Sequence, residues 1–213
     1  MVEPFASAAA DANASAAFST PALRRALRAA RRRIGRSPRR AAAAAIARQL
    51  ALAPAFQRAR RIAAYWPADG EIDPLPTLAR AHAAGKACYL PVLCPLRAGR
   101  LYFAPWRPGT RLIRNRFGIP EPASPRRAWL APRMLDLVLL PLVGFDAAGS
   151  RLGMGGGYYD RSFAFVQRPG WRRPRLVGVA FELQRVPRLP RRVWDVPLDA
   201  VQTERRRYVF RPL

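Results

Sequence analysis

Residues Asp136–Arg161 read DLVLLPLVGFDAAGSRLGMGGGYYDR, an apolar run followed by a glycine-rich turn, two tyrosines and an aspartate. The run through Phe145 is apolar almost throughout, which is typical of a central strand covered on both faces. Glycines allow a backbone to approach phosphate closely, so that its N–H groups point at the oxygens, and a following helix adds its N-terminus. The pattern predicts a central strand, a glycine loop and a helix beginning near Tyr158.

The glycines alone leave two interpretations open, a phosphate-binding loop and a flexible turn. Gly153, Gly155 and Gly157 form G-x-G-x-G, which lacks the spacing of the dinucleotide fingerprint, and no Lys-Ser or Lys-Thr follows as in a Walker A loop. Arg151 can neutralise phosphate, and Asp160 can offer the hard oxygen that Mg²⁺ prefers. These flanking residues favour the phosphate-binding interpretation.

The rest of the chain predicts alternating helices and strands. Helices are expected from Thr20, from Ser37 and from Asp73, and the segment from Leu198 to Phe210 is expected to close the sheet. Apolar runs predict the strands RRIAAYWP, KACYLPVL, RLYFAPW and RLVGVAF. This alternation indicates an α/β fold with a largely parallel sheet. The long segment 107–132, rich in Pro, Gly and Arg, is predicted to be a binding loop.

Composition restricts the class of protein. The chain has 213 residues, half of them hydrophobic, and a formal net charge of +25. Residues 1–19 are rich in Ala and Ser and predict a disordered tail, and residues 20–213 predict a single catalytic domain. The N-terminus lacks a signal-peptide pattern, and no segment is apolar for long enough to span a membrane. Two cysteines, Cys88 and Cys94, and one histidine make neither a zinc framework nor a disulfide scaffold, so we expect the reducing cytoplasm. We also expect a monomer.

The strong positive charge suggests a second class of function, RNA binding or ribosome association. Arginines are dense between Arg24 and Arg40, and no acidic residue lies between Asp11 and Asp69. Such a cluster can bind phosphate backbones. Aromatic residues are not interleaved with these arginines, however, as a surface that stacks bases would require. We therefore expect only non-specific attraction to nucleic acid.

Four stretches together resemble the 5-formyltetrahydrofolate cyclo-ligase (5,10-methenyltetrahydrofolate synthetase) family. They are YWPADGEID, RFGIPEP, DLVLLPLVGFDAAGSRLGMGGGYYDR and VWDVPLDAVQTE, and they occur in the family's order. The resemblance implies a three-layer α/β/α architecture with a mostly parallel sheet, of the CoA-transferase-like type. It also implies ATP-dependent closure of 5-formyltetrahydrofolate to 5,10-methenyltetrahydrofolate, with Mg²⁺ as cofactor and release of ADP and phosphate.

The resemblance also implies roles for individual residues. Arg151 and Asp160 are expected to be catalytic, and Asp160 and Asp195 to hold Mg²⁺. Trp66, Glu71 and Phe117 are expected to contact the folate. The residues expected to bind ATP are Arg24, Arg151, Leu152, Gly153, Met154, Gly155, Gly156, Gly157, Tyr158 and Tyr159.

Two positions differ from the family's pattern. Thr20 stands where the family usually has a lysine, one helical turn before Arg24. Trp194 stands where the family usually has a histidine, directly before Asp195.

Overall fold

The structure, a computed structural model, describes residues 20–95, 98–171 and 173–210, so the predicted disordered tail 1–19 lies outside it. A seven-stranded sheet with the order β11-β10-β9-β6-β1-β2-β3 forms its centre. Its strands are β1 Arg61–Ala63, β2 Ala87–Leu93, β3 Leu101–Trp106, β6 Leu137–Pro141, β9 Arg175–Val179, β10 Ala200–Gln202 and β11 Arg207–Val209. Two small ribbons lie outside this sheet, β4 Leu112–Arg114 with β5 Pro120–Pro122, and β7 Gly144–Phe145 with β8 Arg151–Leu152.

The sheet is mostly parallel, as the sequence predicted. The pairs β1–β2, β1–β6, β6–β9 and β9–β10 are parallel, and only the two outermost pairs are antiparallel. The C-terminal segment closes the sheet through β10 and β11, which also confirms the expectation.

Helices and short 3₁₀ turns cover both faces of the sheet and form the outer two of three layers. The helices are α1 Thr20–Arg32, α2 Arg36–Ala51, α3 Pro54–Arg58, α4 Leu75–Ala83 and α5 Tyr158–Phe163. On one face, α2, α3 and α4 pack against sheet residues that include Ile62 and Leu139. On the other face, Phe163 of α5 packs with Phe103 and Val138. Helix α1 lies at the end of β6, where Leu27 contacts Val143 and Leu152.

The apolar run Leu137–Phe145 is not one strand, contrary to the prediction. The central strand ends at Pro141, and Gly144–Phe145 turns away to pair with Arg151–Leu152. The side-chain amide of Gln184 donates to the carbonyls of Leu142 and Val143, at 2.8 and 2.9 Å. In a longer strand, these two carbonyls would accept hydrogen bonds from neighbouring strands. Because the Gln184 amide already satisfies them, β6 ends at Pro141.

The segment 107–132, which was predicted to be a binding loop, contains regular secondary structure. It contains the β4–β5 hairpin, whose turn is closed by Asn115. The Asn115 carboxamide oxygen accepts the N–H groups of Phe117 and Ile119, at 2.9 and 3.1 Å, and its amide donates to Glu121 at 2.7 Å. Glu121 in turn accepts the N–H of Leu93 at 3.0 Å, which ties the hairpin to the end of β2.

Candidate active site

Three segments that carry predicted site residues follow neighbouring parallel strands. Glu71 follows β1, the glycine loop (residues 153–157) follows β6 through the β7–β8 ribbon, and Asp195 lies between β9 and β10. Since β1, β6 and β9 are adjacent and parallel, their carboxyl ends lie at one edge of the sheet. Open α/β sheets bind their ligands at this edge.

The glycine loop leaves the β7–β8 ribbon instead of following the central strand directly. Gly155 and Gly157 adopt left-handed backbone conformations, with φ of 100° and 62°. Only glycine takes up such angles without strain, which explains the residue type at these two positions. Leu152 is buried among Leu27, Val143 and Leu189, so its side chain has a packing role, whereas Met154 is 49% exposed.

Helix α1 contacts the glycine loop through Arg24. The Arg24 Nε donates to the carbonyl oxygen of Gly153 at 2.7 Å. The contact places this guanidinium beside the loop, where the resemblance implied a basic residue. Neighbouring Arg25 is exposed and Thr20 is partly buried at the start of the helix.

Arg151 and Asp160 form an ion pair across the glycine loop. Arg151 Nη2 lies 2.5 Å from Asp160 Oδ1, and the Arg151 side chain is only 5% exposed. The Arg151 Nε is buried and has no hydrogen-bond partner among the described residues. A buried donor left unpaired carries a free-energy cost that an anionic ligand can remove.

The segment that carries Asp195 contacts Asp160 through a backbone group. The N–H of Val196 donates to Asp160 Oδ1 at 3.1 Å, so the peptide that follows Asp195 contacts the Asp160 carboxylate. The Asp195 carboxylate itself closes a turn, accepting the N–H of Arg192 at 2.8 Å. Trp194 beside it is 62% exposed, with the Arg192 guanidinium 5.4 Å from its ring centre.

These carboxylates suit a cation that arrives with phosphates. Mg²⁺ bound to nucleotide phosphates takes only one or two protein carboxylates. Among residues 20–95, 98–171 and 173–210, no group of three or more His, Cys, Asp or Glu side chains could hold a metal ion by itself. The carboxylate oxygens of Asp160 and Asp195 are of the chemical type that Mg²⁺ prefers.

Glu71 lies in a tight turn after β1. The Glu71 turn (residues 68–71) is closed by the Glu71 N–H donating to the Ala68 carbonyl at 2.9 Å, with φ of 51° at Asp69 and 77° at Gly70. Two positive φ angles define a type I′ turn, for which Asp-Gly is a preferred sequence. The Glu71 carboxylate accepts the N–H of Ala68 at 3.0 Å and lies 3.7 Å from Arg31.

Burial raises the pKa of Glu71 from 4.5 to about 7, although the Ala68 hydrogen bond and the Arg31 charge oppose the shift. Burial, followed by the Glu71 charge, raises the pKa of Tyr159, which directly follows Tyr158 after the loop. Through Arg31 and Arg24, helix α1 contacts both Glu71 and the glycine loop.

Phe117 and Trp66 occupy different settings. Phe117 lies at the tip of the β4–β5 hairpin, is 56% exposed, and meets the ring of Tyr158 edge-on with 6.0 Å between ring centres. Arg116 also donates to the Tyr158 hydroxyl at 3.0 Å. Trp66 is half-buried and packs against the core below α2 and α4. The structure thus brings Phe117 to Tyr158, directly after the glycine loop, and Trp66 lies shortly before the turn that carries Glu71.

Sequence reasoning missed Arg31 and Asp69. Arg31 is fully buried and donates to the carbonyls of Asp69 and Leu142, at 3.0 and 3.2 Å. The Asp-Gly dipeptide signals a type I′ turn before Glu71, but Arg31 gives no signal in a helix so rich in arginine.

Several arginines of the basic cluster are used inside the protein. Arg24 binds the glycine loop, and Arg28, Arg31 and Arg32 pair with Asp69. Their charges are therefore partly neutralised, which weakens the case for an RNA-binding surface on α1.

Two further observations concern other surfaces. An open cavity of about 450 Å³ lies at the opposite, amino-terminal edge of the sheet, lined in part by His82, Lys86, Trp106 and Arg107. None of the predicted site residues lines it. None of the helices described is both long and apolar enough to cross a membrane.

Comparison with known proteins gives one consistent result. The model of the 5-formyltetrahydrofolate cyclo-ligase family matches residues 17–204. The chain is 42% identical over 150 residues to the 5-formyltetrahydrofolate cyclo-ligase of Escherichia coli strain K12, which covers 70% of this chain and 81% of that protein. Its identity to the Haemophilus influenzae protein of the same name is 40% over 142 residues, covering 67% and 74% of the two chains.

Solved structures agree with the sequence comparisons. The NMR structure of 5,10-methenyltetrahydrofolate synthetase from Aquifex aeolicus superposes with a TM-score of 0.76 at 29% identity, covering 92% of this chain and 95% of that one. The synthetase from Mycoplasma pneumoniae shares the fold, with a TM-score of 0.66 at 21% identity over 88% and 99% of the two chains.

Proposed function

Because the chain belongs to the 5-formyltetrahydrofolate cyclo-ligase family, we propose that it converts 5-formyltetrahydrofolate to 5,10-methenyltetrahydrofolate at the expense of ATP, with Mg²⁺ as cofactor. The observation that carries this proposal is that the glycine loop with the Arg151–Asp160 pair and the buried Glu71 follow adjacent parallel strands, and that helix α1 contacts both. One part suits phosphate and the other suits a hydrogen-bonding heterocycle.

The chemistry requires activation of a poor leaving group. The formyl oxygen attacks the γ-phosphorus of ATP, the bond from this phosphorus to the ADP oxygen breaks, and ADP leaves. N10 of the folate then attacks the formyl carbon and loses its proton. The carbon–oxygen bond breaks with its electron pair on phosphate, which leaves as the five-membered ring closes. Reactions of this kind depend on positioning and charge stabilisation more than on a protein nucleophile.

Arg151 and the glycine loop would bind the phosphates. The unpaired Nε of Arg151 is a donor available to a phosphate oxygen, and its buried position strengthens the interaction. Backbone N–H groups of the glycine loop can approach the same phosphates because Gly155 and Gly157 need no space for a side chain. Arg24 adds positive charge on the α1 side of the loop.

Asp160 and Asp195 would hold the Mg²⁺ that enters with ATP. When bound, this ion neutralises phosphate charge and so helps the transferred group to accept electrons. Without ligands, Asp160 balances the charge of buried Arg151. The pair keeps both charges available at the site without leaving either one alone in a poorly solvated position.

Glu71 would bind the pterin ring of the folate. Its carboxylate can accept hydrogen bonds from an amino group and a ring N–H, while Trp66 and Phe117 provide flat apolar surfaces nearby. The contacts of helix α1 with Glu71, through Arg31, and with Gly153, through Arg24, support folate and nucleotide sites that adjoin. Adjoining sites are what transfer from ATP to the formyl oxygen needs.

The free thiols of Cys88 and Cys94 support action in a reducing compartment, and our proposal places a monomeric enzyme in the cytoplasm.

The test is the near-ultraviolet absorbance of methenyltetrahydrofolate. We expect its formation only when 5-formyltetrahydrofolate, ATP and Mg²⁺ are all present, with ADP released in equal amount. Omission of ATP or of Mg²⁺ should abolish the signal. No product under complete conditions, together with salt-dependent RNA binding, would favour the alternative function and overturn this one.

A further inference from the structure

Three arginines on one face of α1 converge on Asp69. Arg28 Nε lies 2.6 Å from Asp69 Oδ2, Arg31 Nη2 lies 3.1 Å from the same oxygen, and Arg32 pairs with Asp69 Oδ1. Their spacing of three and four residues places them on one side of the helix. We call this group, with Asp69, the arginine clamp.

The members of the clamp differ in burial, and burial indicates which ion pairs do most to hold Asp69 in place. Arg31 is 1% exposed and Asp69 is 14% exposed, whereas Arg32 is 57% exposed. Exposed ion pairs contribute little to stability because water screens them, so Arg31 and Arg28 contribute most to holding Asp69 in place. Partial burial disfavours the charged Asp69, but hydrogen bonds from Arg28 and Arg32 and the charges of Arg28 and Arg31 outweigh it and lower the pKa of Asp69.

The clamp holds a turn that would otherwise be strained. Asp69 has φ of 51°, a left-handed angle that few residues other than glycine adopt, although Asp and Asn tolerate it best. Arg31 Nε also donates to the Asp69 carbonyl at 3.0 Å, so both the side chain and the backbone of this residue are fixed. Glu71 follows two residues later, in the same turn.

Helix α1 thereby contacts both halves of the site. Arg31 Nη1 donates to the carbonyl of Leu142 at 3.2 Å and lies 3.7 Å from Glu71, while Arg24 on the same helix binds Gly153 at 2.7 Å. A rigid helix with contacts at both places sets the distance between them.

We propose that Asp69, held by the arginine clamp, is a positioning residue that places the Glu71 carboxylate for the folate. The inference rests on the proposed function, since it concerns the substrate that Glu71 would bind. Asp69 does not itself touch the reacting atoms in this proposal; it acts through Glu71.

The experiment compares Asp69→Asn with the wild type in the absorbance assay. Asn keeps the size of Asp69 and accepts a left-handed φ, so the turn can form without the charge that gathers the arginines. We expect the KM for 5-formyltetrahydrofolate to rise about tenfold, the scale of one well-placed hydrogen bond. The KM for ATP and kcat should each change by less than about threefold, because the contacts of Arg151 and the glycine loop are untouched.

Asp136→Asn is the matched control. Asp136 also pairs with an arginine, Arg173 at 2.9 Å, and accepts two backbone N–H groups, but it lies at the opposite edge of the sheet. It should lower the melting temperature and leave both KM values unchanged. If it raised the folate KM as Asp69→Asn does, general destabilisation would explain the result and the proposal would fail.

A double variant tests the route through Glu71. In the Glu71→Gln background, Asp69→Asn should have little further effect on the folate KM, because the group that it positions is already altered. Fully additive effects would overturn the positioning role. Wild-type turnover separates the two ideas: absence of product refutes the proposed function, whereas normal turnover with an unchanged folate KM in Asp69→Asn refutes only this inference.

Discussion

The glycine loop and the Glu71 turn lie at the same edge of the sheet, yet they form binding surfaces from different parts of the chain. The loop presents backbone, and its Met154 and Gly155 are exposed. The turn presents a buried carboxylate held by an ordered network of charged side chains. A surface made of backbone tolerates a change of side chain but not a change of backbone conformation. A surface made of charged side chains tolerates small changes of backbone conformation but not a change of side chain.

This contrast has a physical basis in the ligands proposed for each region. Phosphate is highly charged and is bound by many N–H groups and cations, so no single hydrogen bond decides. A pterin offers a fixed pattern of donors, so one correctly placed acceptor matters more. The two regions should therefore respond differently to substitution.

Asp160→Asn should have the largest effect. The amide cannot balance the charge of a magnesium ion, and it also lacks the negative charge that pairs with buried Arg151. We expect kcat to fall by about 100-fold or more, and the melting temperature by roughly 3–6 °C. The absorbance assay across Mg²⁺ concentrations and a melting curve provide the measurements.

Asp136→Asn again serves as control, since it removes an arginine–aspartate pair far from the site. Wild-type turnover in Asp160→Asn would remove Asp160 from both the catalytic and the metal-binding roles, and attention would pass to Asp195.

Glu71→Gln should have the next largest effect, and it should change the binding of folate alone. Loss of a charge-assisted hydrogen bond costs about 1.5–3 kcal/mol, which corresponds to roughly one to two decades in affinity. Calorimetry should show weaker folate binding with nearly unchanged ATP binding. The reverse pattern would exchange the places of the two ligands.

Glu71→Gln should weaken folate binding but stabilise the fold at high pH, because the contribution of Glu71 to the free energy of unfolding depends on pH. Burial raises the pKa of Glu71 from 4.5 to about 7, so the folded protein binds more protons than the unfolded chain between these values. The contribution of Glu71 to stability is therefore fully present below about pH 4.5 and is lost as pH rises to about 7, on the order of 3 kcal/mol.

Urea unfolding across this pH range should show that the free energy of unfolding of Glu71→Gln does not fall with rising pH as that of the wild type does. The variant should therefore be more stable than the wild type at pH 8. Folate affinity of the wild type should rise through about pH 7 as the carboxylate ionises, and the Gln variant should lack this rise. Equal pH profiles for the two proteins would show that Glu71 does not titrate in this range.

The comparison also explains how far the sequence could predict the site. The glycine loop is local: its residues are contiguous, and the quoted motif predicted that Arg151 and Asp160 would flank it. The Glu71 turn depends on α1, which lies far away in sequence. Nothing in the pattern of arginines distinguishes buried Arg31 from exposed Arg33, because that difference arises only when the helix packs.

The fold shows the same division. The order of helices and strands and the parallel sheet followed from apolar periodicity. The end of β6 at Pro141 did not, because it depends on Gln184, a residue distant in sequence that takes up the Leu142 and Val143 carbonyls. The short β4–β5 hairpin was also missed, since each strand has only three residues and β5 consists of Pro-Glu-Pro, which shows no strand pattern.

Gly155→Val tests the backbone surface, with an expected effect somewhat smaller than that of Glu71→Gln. Gly155 has φ of 100°, which a branched residue rarely adopts, although space is available because the nearest atom to an added Cβ is Arg24 Cζ at 3.9 Å. The cost is thus conformational, about 1–3 kcal/mol, and the loop should change shape. We expect the KM for ATP to rise about tenfold with little change in the folate KM.

Gly109→Val is the matched control, because Gly109 has φ of 83° and open space around it but lies in the turn between β3 and β4. It should cost similar stability without any effect on ATP. A normal KM for ATP in Gly155→Val would support the flexible-turn interpretation and would remove the backbone of the glycine loop from the proposed phosphate site.

Phe117→Ala should have the smallest effect, and it tests where the two regions meet. Phe117 is 56% exposed and contacts Tyr158, which begins the helix after the glycine loop. If the hairpin tip covers the folate, loss of its ring should raise the folate KM about threefold, since only part of one aromatic surface is removed. Because the side chain is mostly in water, the melting temperature should stay within about 1 °C of the wild type. Ile113→Ala, at a 52% exposed position of the same hairpin, should change neither KM. A rise in the KM for ATP alone would instead assign the hairpin tip to the nucleotide, through its contact with Tyr158, and would leave Trp66 as the aromatic neighbour of the folate.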